Sequence, residues 1–342
     1  WGSLPGNLMA DMILSEDNPI KGLIVISGNP ILSMGSGEKL QRALEQLEFV
    51  MVIDIYPSAT SEYADYLLPA TDMFERADIN ICGLGMQKEP FIQYTNFIVP
   101  PKAERRPEWW ILRQIELTQG FATENRELDD YQGAIDELGL FSRFDHMLRQ
   151  SNLSINDVKS SGTVVLDSVA PGKFFSNVIQ TESSRVDCMP ASFDEAIGRC
   201  REIFNELGRE PRNQLKMISR RTNYMINSWF HNVPSLKRPK HQNNPLYVHP
   251  DDARERNLGE GSTVTVKNEF GEIKTVVALD ESLKTGTVAI THGWGYTGKT
   301  MRTAAKFAGS NANNLLPTGP GSFEKISNQS FMTGIKVDVE AA

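Results

Sequence analysis

The chain has 342 residues, 40% of them hydrophobic, which is enough for two domains with their own cores. Lys and Arg total 35 against 43 Asp and Glu, a formal charge of -8, and no Lys/Arg-rich block interrupts the acidic balance, which argues against nucleic acid as a partner. The longest apolar runs, such as FVMVIDIY from Phe49, are far shorter than the ~20 residues of a membrane-spanning helix, so no membrane span is expected.

Residues 8–15 are amphipathic, and 21–27 (KGLIVIS) are a short, β-branched apolar run closed by Gly28-Asn29-Pro30, which reads as helix, buried strand and tight loop. Leu40, Ala43, Leu44 and Leu47 recur at helical spacing within 38–48, and 49–55 is a second β-branched run. This β-loop-α-β order implies a parallel sheet. A third strand is expected at Tyr66-Leu67-Leu68, closed by Pro69. Residues 108–117 return to helical spacing, 122–209 mix helix and loop with a strand at 163–166 and an amphipathic helix at 193–207, and a domain boundary is expected at 210–213. Beyond it, short strands at 215–219, 246–248, 262–267, 273–279 and 287–291, separated by turn signals, suggest a small barrel.

Gly28-Asn29-Pro30 stands at the carboxyl end of a parallel strand, where open α/β sheets bind ligands, although an ordinary strand-ending turn has the same pattern. Met34-Gly35-Ser36-Gly37 lacks the third glycine and lies too far from the strand to be a dinucleotide fingerprint. Asp54 ends the second strand, a position suited either to ribose hydroxyls and a guanine edge or to capping a turn. His231, His241 and His249 share one polar stretch with no i, i+4 pair or nearby cysteine, so hydrogen-bonding roles are expected rather than a metal site. No Gly-x-Ser-x-Gly elbow is present, which argues against an α/β-hydrolase. Asparagine is dense at 223–244 and 311–314, where its amides could read a heterocycle or merely shape loops. Cys82, Cys188 and Cys200 are too widely spaced for a disulfide framework or a metal knuckle, so free thiols in a reducing, by default cytoplasmic, compartment are expected. The chain opens on Trp1 with no initiator Met or leader, and the expectation is a start further upstream.

Several segments together resemble the molybdenum or tungsten oxidoreductases that bind bis(molybdopterin guanine dinucleotide), the dimethyl sulfoxide reductase family. GLIVISGNP and FVMVIDIYPSATSEYADYLLPAT resemble its third domain, and Arg106-Pro107-Glu108-Trp109-Trp110 a helix start whose acidic residue meets the guanine. Glu75-Arg76-Ala77-Asp78 stands where Glu-Gly-Thr or Glu-Gly-Ala is usual, with Arg76 in the glycine's place. MISRRTNYMINSWFHNVPSL is similar to the pterin-contacting loop, NPLYVHPDDARERNLGEGSTVTVKNEFGEI and TGTVAITHGWG to the dinucleotide-binding barrel, and GSNANNLLP with EKISNQSFMTG to the closing segment.

The resemblance implies a Rossmann-like α/β parallel-sheet domain over 1–210 and a six-stranded double-psi-type β-barrel over 211–342. It implies Asn29, Asp54, Arg76, Glu108, Arg221, Asn227, Ser228 and Asn313 as cofactor-binding residues. Asn29 would face the diphosphate, Asp54 and Glu108 would accept from guanine or ribose, Arg221 would donate to a diphosphate or pterin oxygen, and Asn227 and Ser228 would meet the pterin edge. The implied cofactor is the bis-guanine dinucleotide with Mo or W. Cysteines for an iron-sulfur cluster and a metal ligand lie, in such enzymes, nearer the amino terminus than anything in this chain. The implied partners are a small substrate and an electron-transfer subunit. Two other functions stay open at this level: a stand-alone pterin- or nucleotide-binding module, and a non-redox hydratase of the same family.

Overall fold

The computed structural model describes residues 4–17, 19–35, 37–80, 83, 86–119, 148, 152–167, 169–211 and 213–342. Trp1, Ser36, Cys82, Arg212 and the part of the 122–209 segment up to residue 147 lie outside them. The chain divides into two compact units: unit 1 holds 1–52, 56–67 and 190–342, and unit 2 holds 53–55 and 68–189.

The first sheet is three-stranded and parallel, in the order β1 (Gly22–Ile26), β2 (Phe49–Asp54), β3 (Tyr66–Pro69). The helix Gly37–Leu44 connects the first two, buries Leu40, Ala43 and Leu44, and ends four residues before the reach of its periodicity. Central β2 is buried at Val50, Val52 and Ile53 as its β-branched run predicts. β1 is not the fully buried strand expected: Ile24 and Ile26 are 46% and 43% exposed, because an edge strand buries only the side-chain row facing the core, here Val25.

Unit 2 contains β4 (Asp78–Ile79), β5 (Phe91–Thr95) and β6 (Thr163–Val165) in one antiparallel sheet. Ile79 and Ile92 pack there with Ile155 and Val158 of the helix Ile155–Ser161, which starts in a reciprocal cap between Ser154 and Asp157. The helix Glu108–Thr118 matches its predicted span to within a residue.

The remainder of unit 1 is a closed barrel, β10-β8-β11-β7-β12-β9, built from β7 (Leu215–Ser219), β8 (Leu246–Val248), β9 (Thr263–Asn268), β10 (Gly271–Leu279), β11 (Thr287–Ile290) and β12 (Ile335–Ala341). Inward residues alternate along each strand, Leu215 and Met217, Val264 and Val266, Val288 and Ile290 among them, and each buried aliphatic contributes ~1.5–3 kcal/mol. β10 with β8 and β11 with β7 pair in parallel, while the other four pairings are antiparallel. β12 closes the barrel as the sixth strand, one more than the strand pattern alone names. The amphipathic helix Phe193–Leu207 has the predicted limits but no fully buried residue.

Among the described residues no helix is long and apolar enough to cross a membrane. Cys188 and Cys200 are free and exposed.

Candidate cofactor site

In unit 1, β7 and β11 are parallel neighbours with Ile290 opposite Ser219, so the residues that follow both strands emerge at one end of the barrel. After β7 come Arg220 and Arg221, and they have different tasks. Arg220 is paired with Asp280, and its guanidinium lies 4.0 Å from the Tyr247 ring centroid. Ser282 and then Arg220 hold the Asp280 carboxyl down at about 2. Arg221 is exposed and has no carboxylate partner among the described residues. Its Nη1 donates to Asn227 Oδ1 at 3.0 Å and to His292 Nε2 at 2.6 Å.

His292 Nε2 lies 2.6 Å from Arg221 Nη1 and 3.0 Å from Asn227 Oδ1; arginine cannot accept, so Nη1 donates to both atoms, Nε2 accepts, and the imidazole proton is placed on Nδ1. Burial, and then the Arg221 charge, lower the His292 pKa and keep the ring neutral. Nδ1 is then a buried donor with no partner among the described residues. Gly293 follows at φ +85, and a Cβ there would sit 1.8 Å from Asn227 O, so only glycine allows the two loops to approach. Asn227 itself has φ +46, a conformation asparagine tolerates better than most residues.

Asn29, in the loop after β1, joins this region. Its Oδ1 accepts from Thr60 N at 3.2 Å and Thr60 Oγ1 at 3.1 Å, and its Nδ2 donates to Ser228 Oγ at 2.9 Å. Pro30 then opens the short helix Pro30–Ser33. Asn313, 1% exposed, donates to Leu32 O at 2.6 Å, and Asn311 donates to Ile31 O at 3.0 Å. Buried Asn244 donates to Thr291 O and Ser310 O, both at 2.8 Å, and thereby ties the two ends of the loop after β11. The dense asparagines include several such backbone clamps.

Gly35 and Gly37 serve close packing: a Cβ would meet Pro317 O at 2.8 Å and Ile31 O at 2.8 Å respectively. The three histidines of the polar stretch act separately. His231 is fully buried against Trp294 with Nε2 donating to Phe307 O at 3.1 Å, His241 stacks on Tyr224 at 3.7 Å, and His249 Nδ1 accepts from Asp251 N at 3.1 Å.

Three further predicted residues belong to unit 2. Asp54 Oδ1 accepts from Ile55 N at 2.7 Å. Arg76 and Glu108 are brought together, Nη1 to Oε2 at 2.6 Å. Neighbouring Glu75, 2% exposed, is paired with Arg105 at 2.6 Å.

Sequence reasoning did not single out His292, Thr60 or Glu62, whose carboxylate accepts from Tyr296 and Thr300. A polar residue directly after a strand, followed by Gly-Trp-Gly, was the available signal for His292.

Two family models match the chain: residues 2–116 match "Molybdopterin oxidoreductase", and 215–329 match "Molydopterin dinucleotide binding domain". "Probable oxidoreductase YyaE" of Bacillus subtilis is 24% identical over 83% of this chain and 41% of that protein. "Thiosulfate reductase molybdopterin-containing subunit PhsA" of Salmonella typhimurium is 23% identical over 92% of this chain and 43% of that protein. The chain thus spans less than half the length of these relatives. In fold it resembles acetylene hydratase from Pelobacter acetylenicus, with a TM-score of 0.70 at 16% identity over 98% of this chain and 46% of that one. With one family model on the sheet and its flanking segments and the other on the barrel, in the order the motifs predict, the chain belongs to the molybdopterin oxidoreductase family.

Proposed function

We propose that this chain is the nucleotide- and pterin-holding part of a molybdenum or tungsten oxidoreductase that uses bis(molybdopterin guanine dinucleotide). The observation that carries this reading is Arg221: an exposed guanidinium with no carboxylate partner among the described residues, set beside the Asn227 amide at 3.0 Å and a neutral imidazole. Those groups suit an anionic, heteroatom-rich ligand, since the charge is uncompensated and the amide can donate as well as accept.

In this reading Arg221 binds an anionic oxygen of the cofactor, His292 and Asn227 orient the guanidinium, and Ser228, held by Asn29, meets the pterin edge. Asn313 acts through the loop that it ties to Leu32. Asp54, Arg76 and Glu108 serve the guanine nucleoside from unit 2. When bound, the cofactor supplies a metal that exchanges two electrons, or an oxygen atom with two electrons, with a small substrate. The reading also takes the parallel sheet as part of a Rossmann-like domain over 1–210 and the barrel over 211–342 as double-psi in type. The parallel pairs within an otherwise antiparallel closed barrel support that assignment. Its further partner is an electron-transfer subunit, and its compartment is the cytoplasm.

The test is Arg221→Ala in the full-length protein purified with its cofactor. Loss of a charge-assisted hydrogen bond, ~1.5–3 kcal/mol, lowers cofactor affinity about tenfold or more. Unchanged molybdenum or tungsten and guanine nucleotide loading would overturn the assignment.

A further inference from the structure

Neither loop at this end of the barrel, 220–245 after β7 or 291–310 after β11, contains an Asp or Glu. Their cations must find water, or partners from elsewhere in the fold. Arg220 reaches Asp280, and Arg221, Arg238, Lys240, Lys299, Arg302 and Lys306 are exposed. Lys237 is different: it is 7% exposed, and its Nζ has no hydrogen-bond partner among the described residues.

Lys237 also lies where the two loops meet. Its Nζ is 3.7 Å from the ring centroid of buried Trp294 in the other loop, and the His231 ring packs on the same indole at 5.0 Å. Around them the loops are tied by His231 Nε2 donating to Phe307 O at 3.1 Å, and by Thr303 N and Ala304 N donating to Asn232 Oδ1 at 3.0 and 3.2 Å. None of these groups carries a negative charge, and Glu62, the carboxylate that meets the second loop, is taken by Tyr296 and Thr300. The indole face attracts the ammonium but does not replace its lost hydration, so burial brings the Lys237 pKa down to about 8.

We propose that Lys237 is a proton-operated latch between the two loops, weakening their closure when it is charged and strengthening it when it is neutral. Opening the seam hydrates Nζ and returns it to the ordinary lysine value of 10.5. Between pH 8 and 10.5 the open seam therefore binds a proton that the closed seam does not, so raising the pH favours closure. The latch consists of protein groups alone and stands independently of the proposed function.

Hydrogen exchange followed by mass spectrometry on the full-length protein purified with its cofactor reads the opening of peptides spanning 292–308. With each rate divided by the intrinsic rate at its pH, opening falls about tenfold from pH 7 to pH 9. His231 and His292 are held neutral throughout that window and do not contribute. Lys237→Met abolishes the fall and makes opening about as rare at pH 7 as the wild type reaches at pH 9. Lys237→Arg, which cannot shed its charge there, abolishes the fall by keeping opening frequent at both. Wild-type opening that is the same at pH 7 and pH 9 overturns the proposal, and so does a tenfold fall that persists in either variant.

Discussion

Arg221 donates from Nη1 to Nε2 of His292 across 2.6 Å, a contact between residues 71 positions apart that exists because β7 and β11 run parallel with Ile290 opposite Ser219. The imidazole orients the guanidinium by accepting. His292→Ala is therefore expected to weaken cofactor retention about tenfold, and His292→Gln, which keeps an acceptor, to weaken it less. Guanine nucleotide released from each purified variant measures this, and equal loss in the two would show that the acceptor is not what matters.

The two adjacent arginines should separate by phenotype. Arg220 is committed to Asp280 and Tyr247, so Arg220→Ala costs about 1–2 kcal/mol of stability. Arg221→Ala leaves the unfolding midpoint nearly unchanged while cofactor content falls. Urea unfolding beside metal analysis distinguishes them, and a reversed pattern would contradict the division of labour.

Gly293→Ala places a Cβ 1.8 Å from Asn227 O at φ +85. Neither loop can absorb this without moving, and the expected cost is at least ~3 kcal/mol from overlap and backbone strain together. A fall in the thermal midpoint of less than about 3 °C would be inconsistent with such a close approach.

His231 predicts an acid sensitivity. Burial, and then the Lys237 charge, push its pKa down to about 4, so between pH 6.5 and 4 the unfolded chain binds a proton that the folded chain does not. Stability is full above pH 6.5 and is lost as pH falls toward 4, in total on the order of 3 kcal/mol. His292, also lowered, adds a slope of the same sign. Urea midpoints at pH 7 and pH 5 should diverge in the wild type and converge in part in His231→Phe. An equal slope in the variant would remove His231 as the cause.

Much of the barrel was legible because alternation and turn residues are local properties. Leu215–Ser219 and Leu246–Val248 have the predicted limits, as does the helix Phe193–Leu207. β12 was passed over although Ile335, Val337 and Val339 alternate inward with charged residues between them. β4 gives no pattern to read, being two residues long, and β1 looked buried because its apolar run does not reveal which strand lies at the edge.

The site was legible to a different extent. Arg221, Asn227 and Ser228 are legible by motif, but their neighbours Asn29 and His292 come from segments distant in sequence that only the fold brings near. Arg76 and Glu108, 32 residues apart, are expected from the sequence as separate ligands and form an ion pair. Pairing of that kind depends on where a turn and a helix start meet in space, which neither periodicity nor spacing encodes.

Whether the chain holds a molybdopterin guanine dinucleotide is settled by the nucleotide and metal content of the full-length protein purified from its native host. Acid denaturation is expected to release GMP, with molybdenum or tungsten in the same preparation at one metal for two nucleotides. A protein that releases no guanine nucleotide and contains neither metal does not hold this cofactor.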